Sequence, residues 1–385
     1  MPNTGSMTPP NILIRPKEPR FQDKHRKWQG IASIERTEGG RLYANWYTGM
    51  ETERGGNFVV VSTSDDEGDS WKSVEVVVEH DDPEIRCYDP CLWSDPLGRL
   101  WMTWNQSREF FDGRVGVWAS ISENPDAETP TWSEPRRIAN GIMMNKPTVT
   151  SSGEWLFPCA IWSDHEPTEE HPEVAGERFS NVYVSTDQGM TFEYRGGADV
   201  PNRQFDEHMV VEKKDGTLWM LVRCYNGIGE AFSEDGGRTW RDARKSHIDG
   251  PCSRFHVRRL RSGRLLMINH DNFDARLSKD EVAAQGNVKV WKGRTNLTAM
   301  ISEDDGTTWP YTLLLDDRED ISYPDATEAE DGTIYVIYDW QRMTERKIFM
   351  ARFHEDEVLK GTLSRVESEL GVLVNVAEAK KEPGE

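Results

Sequence analysis

No apolar run in this 385-residue chain approaches the ~18 residues that a membrane-crossing helix needs. The opening residues, MPNTGSMTPPNILIRPK, lack the apolar core of a secretory signal. These absences predict a cytoplasmic protein with no membrane contact. Cysteine is sparse: Cys87, Cys91, Cys159, Cys224 and Cys252 are an odd number, and none forms a CxxC pair. That pattern fits reduced thiols and argues against a disulfide framework. Basic residues are also in deficit. Lys and Arg number 46 against 67 Asp and Glu, a net charge of −21. A field of that sign disfavours nucleic acid and anionic membranes at long range, yet a local arginine cluster can still hold a small anion in a cleft. What the chain does have is aromatic mass, with 15 Trp among 10% aromatic residues, enough for a large packed core. Collagen, coiled coil and wholesale disorder are excluded.

Internal repetition is the strongest feature. An octapeptide of the form Ser-x-Asp-x-Gly-x-Ser/Thr-aromatic appears as SDDEGDSW from Ser64, STDQGMTF from Ser185, SEDGGRTW from Ser233 and SEDDGTTW from Ser302. A decayed copy spans Ser122 to Trp132. Ser and Asp side chains bond turn backbone and Gly supplies a positive φ, so the octapeptide reads as a hairpin turn and its Asp as a folding element. A second pattern places a glycine turn between two apolar strands at Gly40, Gly98, Gly153, Gly216, Gly263 and Gly332. Six such units of strand, turn and hairpin predict an all-β fold: a six-bladed β-propeller of four-stranded antiparallel blades. The expected organisation is an N-terminal extension over 1–25, a propeller over 26–355, and a short helix with a loose tail over 356–385. The acidic stretch from Ser163 to Glu177 reads as a solvated insertion, with His165 and His171 as the less favoured metal-ligand alternative.

Innermost propeller strands converge on the axis, so a common register gathers side chains at one mouth. Nine residues before the turn glycine stand Asp89, Glu207, Arg254 and Tyr323. Asn145 and Lys146 precede Gly153 by eight and seven, and Gln29 precedes Gly40 by eleven. Seven residues after the glycine stand Tyr47, Asn105, Arg223, His270 and Asp339. Charges at the middle of a fold are costly unless paired or ligand-bound, which makes this polar set a candidate binding site. Asp325 follows Tyr323 by two and shares its strand face.

The octapeptide is the Asp-box, or BNR repeat, and its setting resembles the sialidase (neuraminidase) superfamily over roughly Trp28 to Phe353. DEHMVVEKKDGTLWMLVR, from Asp206, is similar to the segment bearing the glutamate partner of the nucleophile and an arginine of the carboxylate-binding triad. The resemblance thereby implies Glu207 and Arg223 in those roles. GRTNLTAMISEDDGTTW, from Gly293, implies a second triad arginine at Arg294, and ISYPDATEAEDGTIYVIYD implies the nucleophile at Tyr323. The chain departs from the pattern in its first blade. Trp28-Gln29-Gly30-Ile31 stands where the family has an arginine, so Gln29 replaces a bidentate cation with a neutral amide. Arg254 is a candidate to compensate.

The implied chemistry is retaining hydrolysis of a terminal anionic sugar, sialic acid or a relative, by a tyrosine nucleophile. Glu207 takes the phenol proton. The family's acid/base loop corresponds here to TGMETERGG, offering Glu51 and Glu53, with Asp89 as another candidate acid. Neither cofactor nor metal is required, and the expected partner is a carbohydrate. Two other readings stay open on the same residues. One is a uronate polysaccharide lyase using Tyr323 with His208, His256 or His270. The other is a carbohydrate-binding propeller without catalysis.

Overall fold

A computed structural model describes residues 7–49, 51–163, 165–167, 170–271 and 293–379. Within them the six turn glycines all adopt positive φ, between 77° and 97°. Each joins the innermost strand of a blade to its second strand. The innermost strands are Trp28–Arg36, Ile85–Ser94, Thr148–Val149, Met209–Glu212, His256–Arg259 and Ile321–Glu328. The second strands are Leu42–Gly49, Leu100–Arg108, Trp155–Ala160, Leu218–Cys224, Leu265–His270 and Thr333–Trp340. Six antiparallel sheets follow, five with their strands in chain order from the axis outward, and blade one the same for its four inner strands. Second strands are buried on both faces because a neighbouring blade covers each side. They therefore read as continuous apolar runs, whereas an outer strand such as Lys72–Glu79 mixes buried and exposed positions.

Both ends of the described residues contribute strands to the sheets. Asn11–Ile14 adds a fifth strand to blade one by pairing with Lys72–Glu79. The expected C-terminal helix is short, Glu355–Lys360, capped by His354 and Glu357 and ended by Gly361 at φ 73°. After it, Glu369–Val376 forms the outermost strand of blade six. The propeller thus extends past the expected boundary at 355. Ala377 and Ala379 are also ordered, donating backbone hydrogen bonds to the carbonyls of Arg346 and Arg26. The rest of the expected loose tail, 380–385, lies outside the described residues.

The Asp-boxes fold as hairpin turns. In the third, Ser233 Oγ donates to Asp235 Oδ1 at 2.8 Å and accepts from Gly237 N at 2.9 Å. Asp235 then accepts from the backbone and hydroxyl of Thr239 at 2.9 and 2.6 Å. These bonds, led by the one from Thr239, draw the Asp235 carboxyl down to about 2. The same directions hold at Asp66, Asp187 and Asp304. The decayed copy keeps the design with an amide: Asn124 Oδ1 accepts from Thr131 N at 2.9 Å and from its hydroxyl at 3.0 Å.

The axis is filled by a buried polar plug. Asp325 Oδ2 accepts from Ser33 Oγ at 2.6 Å and Ile34 N at 3.0 Å, tying blade six to blade one. Lys146 Nζ lies 3.1 Å from the same oxygen and 2.7 Å from Ile34 O, bringing in blade three. Arg254 donates to Asn145 Oδ1 at 2.7 Å and Met144 O at 2.8 Å, with Asp325 at 3.4 Å. His256 Nδ1 completes the plug, 3.2 Å from Asp325 Oδ1. Burial opposes the Asp325 charge, but Lys146 above all, then His256 and Arg254, hold its carboxyl far below the usual range.

Candidate active site

At one mouth of the propeller lies a cavity of about 500 Å³. Three of its lining residues arise from one repeated device. In blades one, two and six the innermost strand carries a bulge against its partner: pairing jumps from Gly30 to Ser33, from Tyr88 to Cys91 and from Ser322 to Asp325. Just inside each bulge stands a residue with left-handed backbone, Ile31 (φ 61°), Asp89 (φ 44°) and Tyr323 (φ 57°). Bulges re-aim side chains, and such strain persists where surrounding bonds hold it. Asn105 Nδ2 holds the carbonyl of Asp89 at 3.2 Å. Asp339 holds two bulges at once, accepting from Ile31 N at 2.8 Å and Ser322 Oγ at 2.6 Å.

Tyr323 stands with Glu207 and Arg223 in a closed triangle. The phenol donates to Glu207 Oε1 at 2.7 Å, while Arg223 Nη1 lies 2.6 Å from that oxygen and 2.7 Å from the phenol. Glu207 and Tyr323 both line the cavity, and Arg223 is fully buried against them. Burial raises the phenol well above its ordinary value, with Glu207 adding to the rise and Arg223 opposing it. Arg294 lines the cavity with its guanidinium 5.5 Å from the Tyr323 ring, anchored on Cys252 O at 3.0 Å.

Asp89 is buried in the cavity wall, with Oδ1 lacking a hydrogen-bond partner. Burial first, then the charges of Glu53 and Glu207, pushes its carboxyl up to about 8 against the pull of Arg86. Glu53 also lines the cavity, on the loop after the second strand of blade one, and pairs with Arg342 at 3.4 Å. Glu51 lies on the same loop but pairs with Arg54 at 3.1 Å and does not line the cavity.

Other expected residues are placed elsewhere. Arg254, Asn145, Lys146 and Asp325 form the axial plug, where protein groups occupy them. Arg254 therefore does not compensate for the missing first-blade arginine. Gln29 is locked away, accepting from Arg26 at 3.0 Å and donating to Arg346 O at 2.7 Å. The residue nine before Gly40, equivalent to Asp89 and Tyr323, is Ile31, and it is Ile31 that lines the cavity. His270 bonds Thr295 O at 2.9 Å, and burial lowers its pKa to about 4. Asp339 supports the bulges and does not line the cavity. His208 sits between the carbonyls of Asp206 and Asn181, and His256 belongs to the plug. The cavity lining contains no histidine among the described residues, so the acid–base pair of the lyase reading is not assembled there. His165 packs at a tilt against Phe205 and Trp162, with ring centroids 4.6 and 5.1 Å away, and His171 pairs with Glu173.

Three contributors, Arg86, Arg342 and Phe110, escaped the register count, while Trp162 stands two residues past the third-blade register position Ala160. Arg86 sits three residues before Asp89, its guanidinium 3.6 Å from the Tyr88 ring. Arg342 lies three past Asp339. Extending the count three residues further in each direction reaches them, Arg86 near the start of its own strand and Arg342 on the loop past Trp340. Phe110 and Trp162 form an aromatic wall with Phe205, with Arg86 packed on Phe110 at 4.7 Å and Arg223 on Phe205 at 4.9 Å, and alternation gives no sign of it because these residues sit on loops.

Six antiparallel blades carrying Asp-box turns, with a polar pocket at one mouth, define the class as a six-bladed β-propeller with BNR-type repeats. The profile of the BNR repeat-like domain family matches residues 40–336, and the chain belongs to that family. No curated protein sequence matches it. Among solved structures it is similar to the Hadza microbial sialidase Hz136, with 19% identity, TM-score 0.61, and coverage of 82% of this chain and 64% of that one. The chain thus spans less than two thirds of that protein. It is similar over 92% of its own length and 99% of the other's to the intramolecular trans-sialidase from Ruminococcus gnavus, with 14% identity and TM-score 0.63. A protein of unknown function from Dyadobacter fermentans shares 16% identity, TM-score 0.60, and coverage of 88% and 95%. At these identities the likeness establishes the fold.

Proposed function

We propose that this protein is a retaining glycoside hydrolase acting on a terminal anionic sugar. The carrying observation is the triangle of Tyr323, Glu207 and Arg223 at the cavity, with its 2.7 Å phenol–carboxylate bond. A neutral phenol is a weak nucleophile that a carboxylate in contact can deprotonate as it attacks. It also avoids the repulsion that a carboxylate nucleophile meets at an anomeric centre bearing a negative group. The sialidase names of the structural neighbours support the same substrate class.

In the first step Tyr323 Oη bonds to the anomeric carbon and passes its proton to Glu207. The glycosidic bond breaks, and its oxygen receives a proton from Asp89. In the second step water attacks the same carbon and gives its proton to Asp89. The phenol leaves and recovers its proton from Glu207, which restores the site and retains configuration. Asp89 suits the acid role better than Glu53. Its burial keeps it protonated near neutral pH, whereas Glu53 faces the Arg342 cation. Arg294 and Arg223 supply positive charge for the sugar's anionic group, and the aromatic wall offers an apolar face.

The test is release of fluorophore from a panel of sialosides, uronides and rhamnosides. Release from an acidic glycoside, reduced roughly a thousandfold or more in Tyr323→Phe while binding persists, is the expected result. Cleavage only of neutral glycosides refutes the anionic substrate. Tight binding of acidic sugars with no turnover favours a non-catalytic propeller.

A further inference from the structure

Arg223 and Arg294 are not the only cations around Tyr323. The Arg342 guanidinium stands 4.4 Å from the centre of the tyrosine ring, against 5.5 Å for Arg294 and 5.9 Å for Arg223. Arg342 comes from the loop that follows the second strand of blade six, and it lines the cavity. Three contacts aim it: Nη2 donates to Ser322 Oγ at 3.2 Å, Nε lies 3.3 Å from Asp339 Oδ2, and Nη1 lies 3.4 Å from Glu53 Oε1. Asp339 is fully buried and also fixes the bulge that presents Tyr323. Arginine and nucleophile therefore hang from one carboxylate.

The path of this side chain explains a glycine. A Cβ at Gly30 would stand 2.1 Å from Arg342 Cδ, 2.6 Å from Cγ and 3.0 Å from Asp339 Oδ2. Gly30 lies outside the left-handed region, so its backbone does not demand glycine. The stem of Arg342 does. Any side chain at position 30 displaces that stem from the groove between blades one and six. Gln29, one residue earlier, points away from the cavity and supplies no positive charge.

The geometry points to Arg342 as a third anion-binding arginine of the site, delivered from the last blade, with Gly30 as the position that admits it. Asp339 and Glu53 are both its counter-ions, and because only Glu53 lines the cavity, an anionic sugar group competes with Glu53 for the guanidinium. This inference rests on the anionic-sugar reading above and specifies which residues hold the anion.

A double-mutant cycle tests it, using wild type, Gly30→Ala, Arg342→Met and the double variant. The readouts are kcat and KM on the 4-methylumbelliferyl glycosides of N-acetylneuraminic and glucuronic acids, and titration of the two free sugars. Loss of a charge-assisted contact predicts roughly a 10- to 100-fold rise in KM and Kd for Arg342→Met. Gly30→Ala shifts them in the same direction. The double variant is no worse than Arg342→Met alone, because the glycine acts only through the arginine. Arg342→Lys keeps charge but loses the planar fork, so it recovers part of the loss and guards against a folding artefact. Equal affinity in wild type and Arg342→Met refutes the arginine's role. Additive losses refute the assignment of Gly30. Failure of wild type to bind or cleave either acidic sugar overturns the functional reading itself, whereas the first two results leave it standing.

Discussion

A phenol removed from water resists ionisation, and burial raises the Tyr323 pKa well above its ordinary value. In the proposed mechanism its proton therefore has to leave during attack, and Glu207 is the group in contact to receive it. Glu207→Gln keeps the volume and removes the base, so kcat falls by about 10²–10⁴ with little change in sugar binding, as single-turnover and binding measurements would show. Asp89 gives a pH signature. Its carboxyl, pushed up to about 8, donates a proton only below that value. Activity therefore declines as pH rises through about 8, and the residual activity of Asp89→Asn lacks that alkaline limb. Stability moves with the same sign. The raised native pKa means that ionising Asp89 destabilises the fold progressively from about pH 4 to pH 8. Asp89→Asn consequently unfolds at higher temperature than wild type at pH 9, and the difference shrinks at pH 5. A pH–rate profile in which Asp89→Asn retains the alkaline limb assigns the acid elsewhere.

At the scale of the element, the Asp-box and the bulge divide the work. The box is a closed ring of hydrogen bonds at the rim, with its aspartate drawn down to about 2 by bonds from the neighbouring Thr or Ser. A depressed pKa contributes stability above the ordinary carboxylate value near 4, and that contribution is lost as pH falls toward 2. Four boxes titrating together steepen acid unfolding in that window. Asp235→Asn flattens the fall between pH 4 and pH 2 and lowers the unfolding midpoint at pH 7, measurable by thermal melts across pH. The bulge, in contrast, serves the cavity. It appears in blades one, two and six and offers Ile31, Asp89 and Tyr323 in one backbone setting. One supersecondary unit has been given an apolar, an acidic and a phenolic side chain in turn.

For the whole molecule, the axial plug takes the place of a shared closing strand. The last sheet, Ile321–Glu328 through Glu369–Val376, takes all its strands from the end of the chain. Closure onto blade one instead runs through Asp325 to Ser33 and Ile34, and through Asp339 to Ile31. Removing one charge from such a cluster leaves the others buried and unpaired. Asp325→Asn retains the shape but leaves Arg254 without a carboxylate and Lys146 with Glu35 alone, at an expected cost of about 3–5 kcal/mol in denaturant unfolding. A loss below 1 kcal/mol shows that the plug is not what closes the ring.

The sequence by itself determined the architecture, because turns and strands are local. Six positive-φ glycines, four Asp-boxes and the apolar second strands specify blades one at a time, and stacking six of them follows from burial. It also placed Tyr323, Glu207 and Asp89, since one register sets all three relative to their turn glycines. It misjudged Gln29 because the count was carried to eleven there, and a two-residue slip along a bulged strand changes where the side chain points. Only the tertiary structure decided which polar register positions meet a ligand cavity and which meet each other. Arg254 and Tyr323 share a register, yet Arg254 finds Asn145 and Asp325 across the axis while a bulge turns Tyr323 to the mouth. Arg342 and the aromatic wall belong to loops outside the repeat. The meeting of Arg342 with Gly30 joins positions 312 residues apart, a contact that exists only because the ring closes.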